Sequence, residues 1–501
     1  MEFVKLRPVK TQLPIFDLAV LVVYLAAMVA MGMWFGRKNK TPDQFMKAGG
    51  KIPGWAVGLS IFGTYVSSIS FLALPGKAYA TNWNAMVFSL AIPFAAWAAV
   101  KWYVPFYRRS GEVSAYQHLE HRFGAWARTY AVACYLLTQL GRMGTIMYLL
   151  ALAMKPMIGW NIPTLIVLTG VIVIVYTLIG GMEAVIWTDV VQSIVFIIGA
   201  LACVVVLWFG LPQGPGQLFE IAAKEGKFSL GSFDLNFAQA TVWVVLLNSI
   251  FINLQNFGID QSYVQRYSTA TSDREAAKSV WVGALLYVPI SGVFFLIGTL
   301  LFAYYTARPE LLPAGVKGDA VFPHFITTGL PVGLAGLVIA SIFAAAQSTI
   351  ASSINCSATL FLCDLYRRYF RPQADDRESM TVLRVATVGF GLAGTAMGFA
   401  MMGVESALDA WWAVSSITSG GMLGLFLLGL ISRTSNAAAA TGTIIGFLVI
   451  VWMTISAKWP AALGKWASPF HSFMITVIGT LTILLVGLAL SGIFKRSAAA
   501  K

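Results

Sequence analysis

Charge is scarce in this chain. Of its 501 residues only 11 % are charged while 58 % are hydrophobic, and the mean hydropathy is +0.75. That balance excludes a water-borne globular enzyme or binding module, because no soluble domain of this length tolerates it. Cysteine is scarce too. Cys134, Cys203, Cys356 and Cys363 fall in or beside apolar runs without CxxC spacing, which excludes a disulfide framework and a thiolate metal site. His118, His121, His324 and His471 are scattered, so a zinc or redox membrane enzyme lacks its parts. No base, nucleophile and metal constellation is present, and an enzyme is not expected.

Long apolar runs, by contrast, recur along the whole chain. About 13 are long enough to cross ~30 Å of hydrocarbon. They lie near 15–36, 53–75, 84–107, 129–158, 162–182, 187–210, 239–261, 279–304, 330–362, 381–402, 408–431, 437–457 and 468–493. The expectation is an all-α integral membrane protein, one polytopic domain over 1–501 with membrane lipid as its surroundings. Lys5, Arg7 and Lys10 precede the first run, but it is too long for a signal peptide and reads as a retained helix.

Basic residues orient the bundle. Arg37, Lys38, Lys40, Lys47 and Lys51 follow the first run, Arg108, Arg109, Arg122 and Arg128 fall between the third and fourth, and Arg367, Arg368, Arg371 and Arg377 follow the ninth. These loops alternate with cation-poor ones such as 76–83 and 403–407, so the N-terminus is expected outside and the C-terminus in the cytoplasm. The formal charge of +13 then anchors topology, and no nucleic-acid partner is expected. No obligatory protein partner is indicated either.

Two segments carry polarity where lipid-facing helices do not. "FAAAQSTIASSINCSATLF", 343–361, holds Gln347, Ser348, Thr349, Ser352, Ser353, Asn355, Ser357 and Thr359. Ser348 and Ser352 share one helix face, with Thr349 beside them. Hydroxyls of this kind either bond the carbonyl one turn back and allow close packing, or line a site. "PGWAVGLSIFGTYVSSISFLALPG", 53–76, is an apolar span interrupted by Gly63, Thr64, Tyr65, Ser67 and Ser68. A helix broken there frees backbone carbonyls, which membrane depth tolerates only where they line a cavity or hold an ion. Neutral oxygens of this sort suit sodium, a hard cation. A counterpart interruption is expected in the seventh run, among Asn248, Asn253, Gln255, Asn256 and Gly258. Two interrupted helices point to inverted repeats over 53–210 and 239–431, with an extra helix at 15–36 and further C-terminal helices at 437–493.

Arg142, in "LLTQLGRMGTIMYLL", lies well inside the fourth run, where a charge costs at least ~2.5–3.5 kcal/mol. No acid stands one turn away on its own helix. Its partner is therefore an acid on another helix, such as Asp189 or Asp260, or an anionic substrate.

"PGWAVGLSIFGTYVSSISF", "GRMGTIMYL", "YTLIGGMEAVIWTDVVQ", "QRY" and "IFAAAQSTIASSIN", in that order, resemble the sodium:solute symporter family, and within it most closely the bacterial sialic acid transporters. The resemblance implies a leucine-transporter-like core of two inverted five-helix repeats with discontinuous helices. It implies a multi-pass protein of the bacterial cytoplasmic (inner) membrane that imports its substrate with Na+ by alternating access. It maps a first sodium site onto the backbone oxygens of Gly63, Val66 and Ala345 and the hydroxyls of Ser348 and Thr349, the latter replacing the usual serine. A second site would use Asp189, Ser348 and Ser352, with Ala351 standing where a serine is usual; otherwise Asp189 caps its helix or pairs with a basic residue. Arg142 matches the arginine that holds the substrate carboxylate. Ser67, Ser70, Tyr65 and Ser89 complete the implied pocket, although Tyr65 replaces a smaller threonine and Ser89 a glutamine.

The implied substrate is a carboxylated sugar such as N-acetylneuraminate; a neutral sugar or a small monocarboxylate is the alternative, and a non-transporting sensor the alternative of another class. The number of sodium ions decides the driving force. One sodium with one monoanion is electroneutral, and a tenfold sodium gradient supports about tenfold accumulation. Two sodium ions yield roughly 5 kcal/mol with a potential of about 100 mV.

Overall fold

The computed structural model describes residues 13–499 apart from 38, 317, 405, 406 and 433. Lys5, Arg7, Lys10 and Lys38, counted above among the flanking cations, lie outside the described residues. The long elements are helices α1 (Ile15–Gly36), α2 (Gly54–Tyr65), α3 (Ser68–Ala80), α4 (Asn84–Ser110), α5 (Ala125–Ile158), α6 (Ile162–Phe209), α7 (Val242–Ile259), α8 (Gln261–Tyr267), α9 (Asp273–Ala307), α10 (Leu334–Phe370), α11 (Asp376–Met401), α12 (Ala407–Ile431), α13 (Asn436–Lys458) and α14 (Met474–Ala499).

Among the described residues, 11 helices are long and apolar enough to cross a membrane, and α2 with α3 forms one further span bent by 59°. The expected count of 13 differs from this at α6. The runs 162–182 and 187–210 follow one another there as two helices that meet in a kink at Gly181 (φ 57°, ψ −153°), 48 residues taken together. That many helical residues exceed what one crossing of the hydrocarbon needs. A glycine allows the turn because a Cβ there would sit in a disfavoured conformation and 2.8 Å from Asn39 Nδ2.

The breaks in the two polar spans have matching backbone. α2 stops at Tyr65, Val66 is extended (φ −85°, ψ 119°), and the Ser67 hydroxyl accepts the Ser70 amide at 3.4 Å to start α3. α7 stops at Ile259, Asp260 is extended (φ −75°, ψ 119°), and its carboxylate accepts the Ser262 amide at 2.8 Å to start α8. The second break thus falls just beyond the polar cluster that announced it. Asn253 explains the shift: its side chain donates to the Ser249 carbonyl one turn back, so this asparagine supports the helix it was expected to interrupt.

α10 runs through the centre, buried along nearly its whole length, and packs most extensively on α6. α2 lies between α9 and α6, α1 covers α6 and α10, and α5 carries α11 and α12. The hydrocarbon-facing side chains remain exposed, among them Val23, Val171, Val205, Val385 and Leu448. This inverts a soluble protein's surface.

At the end of the bundle bearing the arginine-rich loops, Arg128 pairs with Asp364 and, at 2.7 Å, with Glu120, which also takes Arg368 at 2.6 Å. Burial raises the Glu120 carboxyl, but hydrogen bonds from Arg128 and Arg368 outweigh it and hold the group below its ordinary value. His118, packed edge-on against Phe106 at 4.8 Å, is pushed down to about 4 by burial, reinforced by Arg122.

Candidate functional site

Every hydroxyl of the 343–361 stretch is buried, and α10 spends them in two ways. Ser353 donates to Gln139 on α5 at 2.7 Å, and Gln265 on α8 donates to Asn355 and Thr359 at 3.0 and 3.2 Å. These contacts tie helices together, as satisfied polar groups in a packed interior must. Ser348 instead faces Gly63 near the end of α2 and the carboxylate of Asp189, and Ser352 accepts from Arg266.

Gly63 brings the break to α10. A Cβ on it would lie 3.0 Å from both Ser348 Oγ and Ser193 Oγ, so only a bare backbone lets α2 approach α6 and α10 this closely. Because α2 ends at Tyr65, the next turn that would have paired the carbonyls of Gly63, Thr64 and Tyr65 is missing. Thr349 Oγ1 lies 3.3 Å from the Ala345 carbonyl, and Val66 is buried. The donors are neutral oxygens backed by a carboxylate through Ser348, a chemistry that fits a sodium ion as cargo.

Asp189 is not a helix cap. Ser348 donates to its Oδ1 at 2.6 Å, Ser60 donates to its Oδ2, and Arg266 Nη2 donates to Oδ2 at 2.9 Å. The same Nη2 donates to Ser352 at 2.7 Å, while Arg266 Nε donates to Ser60 at 2.8 Å. Arg266 is fully buried and its guanidinium stands among the three residues assigned to the second sodium. Sequence reading quoted "QRY" without assigning this arginine a role. The available signal was a charge shortly after a break, in a span with few others.

Arg142 is half-buried on α5 and donates to the Thr64 carbonyl at 3.1 Å. It makes no ion pair among the described residues. Asp189 belongs to Arg266, and Asp260, whose Oδ1 caps α8, is the carboxylate within Coulombic reach of Arg142. The guanidinium therefore sits at the α2–α3 break, near the first turn of α3 that carries Ser67 and Ser70. The buried start of α3 and an arginine lie together there, an arrangement that suits a group carrying negative charge.

The rest of the implied pocket divides. The Tyr65 ring stands 4.8 Å from Tyr263, 5.3 Å from Tyr287 and 5.6 Å from Phe257, and its hydroxyl donates to Asn253 at 3.1 Å. Its bulk closes one side of the break with an aromatic cluster. Ser89 is buried and donates to Ser291 on α9 at 2.7 Å, which makes it a contact between α4 and α9 in this conformation.

The sequence and the fold have close counterparts. The chain is 35 % identical over 482 residues to the sodium/sialic acid symporter NanT of Aliivibrio fischeri, covering 95 % of this chain and 93 % of that one. It is 34 % identical over 480 residues to the sodium/sialic acid symporter SiaT of Proteus mirabilis, with 95 % of each covered. A solved structure of a Na+-coupled sialic acid symporter, substrate-bound and outward-open, superposes with a TM-score of 0.89 at 32 % identity, over 95 % of this chain and 98 % of that one. The architecture is therefore leucine-transporter-like, as expected. The model of the sodium:solute symporter family matches residues 45–446, and the chain belongs to that family.

Proposed function

We propose that this protein is a sodium-coupled symporter that imports a sialic acid or a related carboxylated sugar across a bacterial cytoplasmic membrane by alternating access. The observation that carries the reading is Arg142: a guanidinium within the span of α5, in no ion pair among the described residues, beside a broken helix. A planar fork of donors suits a carboxylate, and the substrate would supply the missing counter-charge. Ser67 and Ser70 hydroxyls then serve the carboxylate or sugar oxygens. The similarity to NanT and SiaT supports the sugar acid.

Sodium is held by the carbonyls of Gly63, Val66 and Ala345 and the hydroxyls of Ser348 and Thr349. Its charge and the substrate carboxylate would share the α2–α3 break, so each ion favours the other's binding, which is coupling in thermodynamic terms. The second site does not hold sodium. Ala351 removes one oxygen ligand, and Arg266 already supplies the positive charge that Asp189 and Ser352 would otherwise seek. Transport of a monoanion with one sodium is then electroneutral. The matching breaks at Val66 and Asp260 support repeats over 53–210 and 239–431, and the loop cations support an outer N-terminus and a cytoplasmic C-terminus.

Tyr65 favours a second reading. Its aromatic cluster narrows the break, and a small monocarboxylate would keep the Arg142 contact while needing less room. Calorimetry with purified protein separates these. N-acetylneuraminate should bind in sodium, and its methyl ester should bind at least tenfold more weakly. Equal affinity for acid and ester would contradict recognition by Arg142, and tighter binding of lactate would favour the second reading.

A further inference from the structure

A groove of about 690 Å³ opens on the outside of the bundle, between the end of α1, the part of α6 preceding Gly181, and α11. Its walls are Leu178, Ile179, Val385 and Val388, Gly389 leaves it open, and Arg384 is its charged side chain. Val385 is 67 % exposed, so the groove faces the surroundings that a membrane fills with acyl chains.

Arg384 lies eight residues past Asp376, about 12 Å along α11. In a helix of 26 residues, that places it inside the edge of the hydrocarbon. It is exposed and has neither hydrogen bond nor ion pair among the described residues. One further cation borders the groove. Arg37 directly follows Gly36, which lines it, and its guanidinium lies 5.4 Å from the Trp34 ring, whereas Arg377, seven residues before Arg384, lines a separate recess with Asp375 and Glu378. Of the carboxylates at the start of α11, Asp375 caps the helix, Glu378 takes Tyr366 and Arg371, and Asp376 is exposed about two turns before Arg384. The result is an apolar trough with a cationic mouth.

We propose that this groove binds one anionic glycerophospholipid, with its phosphate on Arg384 and Arg37 at the mouth, and an acyl chain along Val385 and Val388 over Gly389. A zwitterionic lipid brings its own cation and gains little from two arginines. A water-borne anion could pair with the mouth but would leave the apolar trough unused. Gly389 supplies a clean probe, since a Cβ there meets nothing within 4 Å and a larger side chain can fill the trough without disturbing the helices. This inference depends on the membrane placement of α11 and not on which solute is carried.

Native mass spectrometry of the purified full-length protein tests it, with dioleoylphosphatidylglycerol and dioleoylphosphatidylcholine added in turn. The expected result is one retained phosphatidylglycerol, bound about tenfold more tightly than phosphatidylcholine. Arg384→Gln and Gly389→Leu should each abolish that preference, Arg384→Lys should keep most of it, and excess inorganic phosphate should not displace the lipid. Equal retention of both lipids, a preference that survives Arg384→Gln, or displacement by phosphate would overturn the assignment and leave an arginine that merely reaches for the interface.

Discussion

Arg266 and Asp189, 77 residues apart, meet at 2.9 Å between Nη2 and Oδ2 with both side chains fully buried. Ser60, Ser352 and the Ser262 carbonyl accept the other donors of Arg266, so the charge pair is enclosed in its own hydrogen bonds. A buried pair of this kind need not stabilise the fold relative to apolar residues, but losing one member leaves an uncompensated charge.

Asp189→Asn should therefore lower stability by roughly 3–5 kcal/mol, read as thermal unfolding in detergent. Adding Arg266→Gln should recover much of the loss. A double variant no more stable than the single one would show that the two residues do not act as a pair.

Arg142→Lys retains the charge and removes the planar fork. Half-saturation for a carboxylated substrate should rise at least tenfold in radiolabel uptake, with less change for a neutral amide of the same substrate. Equal losses for both would make Arg142 a structural tie to the Thr64 carbonyl.

At the first sodium site, Thr349→Ala removes one oxygen. The sodium concentration for half-maximal substrate binding should rise several-fold, while Thr349→Ser stays close to wild type. An unchanged sodium dependence in the alanine variant would take Thr349 out of the ligand set and leave its bond to the Ala345 carbonyl as its role.

His118 makes stability depend on pH. Burial depresses its folded value to about 4, against about 6.5 in an unfolded chain, so the unfolded state binds the extra proton first. Stability should be unaffected by this group above about pH 6.5 and should decline as pH falls toward 4. Comparison of unfolding temperatures for wild type and His118→Leu checks this; parallel pH curves would rule out a contribution from His118.

Much of this architecture was legible in the chain because membrane helices declare themselves by apolar length, and because Gly63, Ser67 and Ser68 interrupt one such run conspicuously. The first break and the exposed carbonyls of α2 followed directly. The second break was misplaced by a few residues, since an asparagine in a membrane helix can satisfy the backbone as well as break it. The Arg266–Asp189 pair was not legible. Its members belong to different helices, and no local periodicity relates positions 189 and 266. Ser89 shows the same limit from the other side: a polar residue in an apolar run can serve a pocket or a neighbouring helix, and only its contact with Ser291 shows which it does in this conformation.

The most direct test of the account is uptake of labelled N-acetylneuraminate into proteoliposomes under an inward sodium gradient, with and without an imposed inside-negative potential. Uptake that requires sodium, is abolished by Arg142→Ala and is unchanged by the potential is the predicted result, as one sodium per monoanion demands. Uptake without sodium would contradict the coupling itself. Uptake that grows with the potential would place a second sodium beside Asp189 despite Arg266 and Ala351.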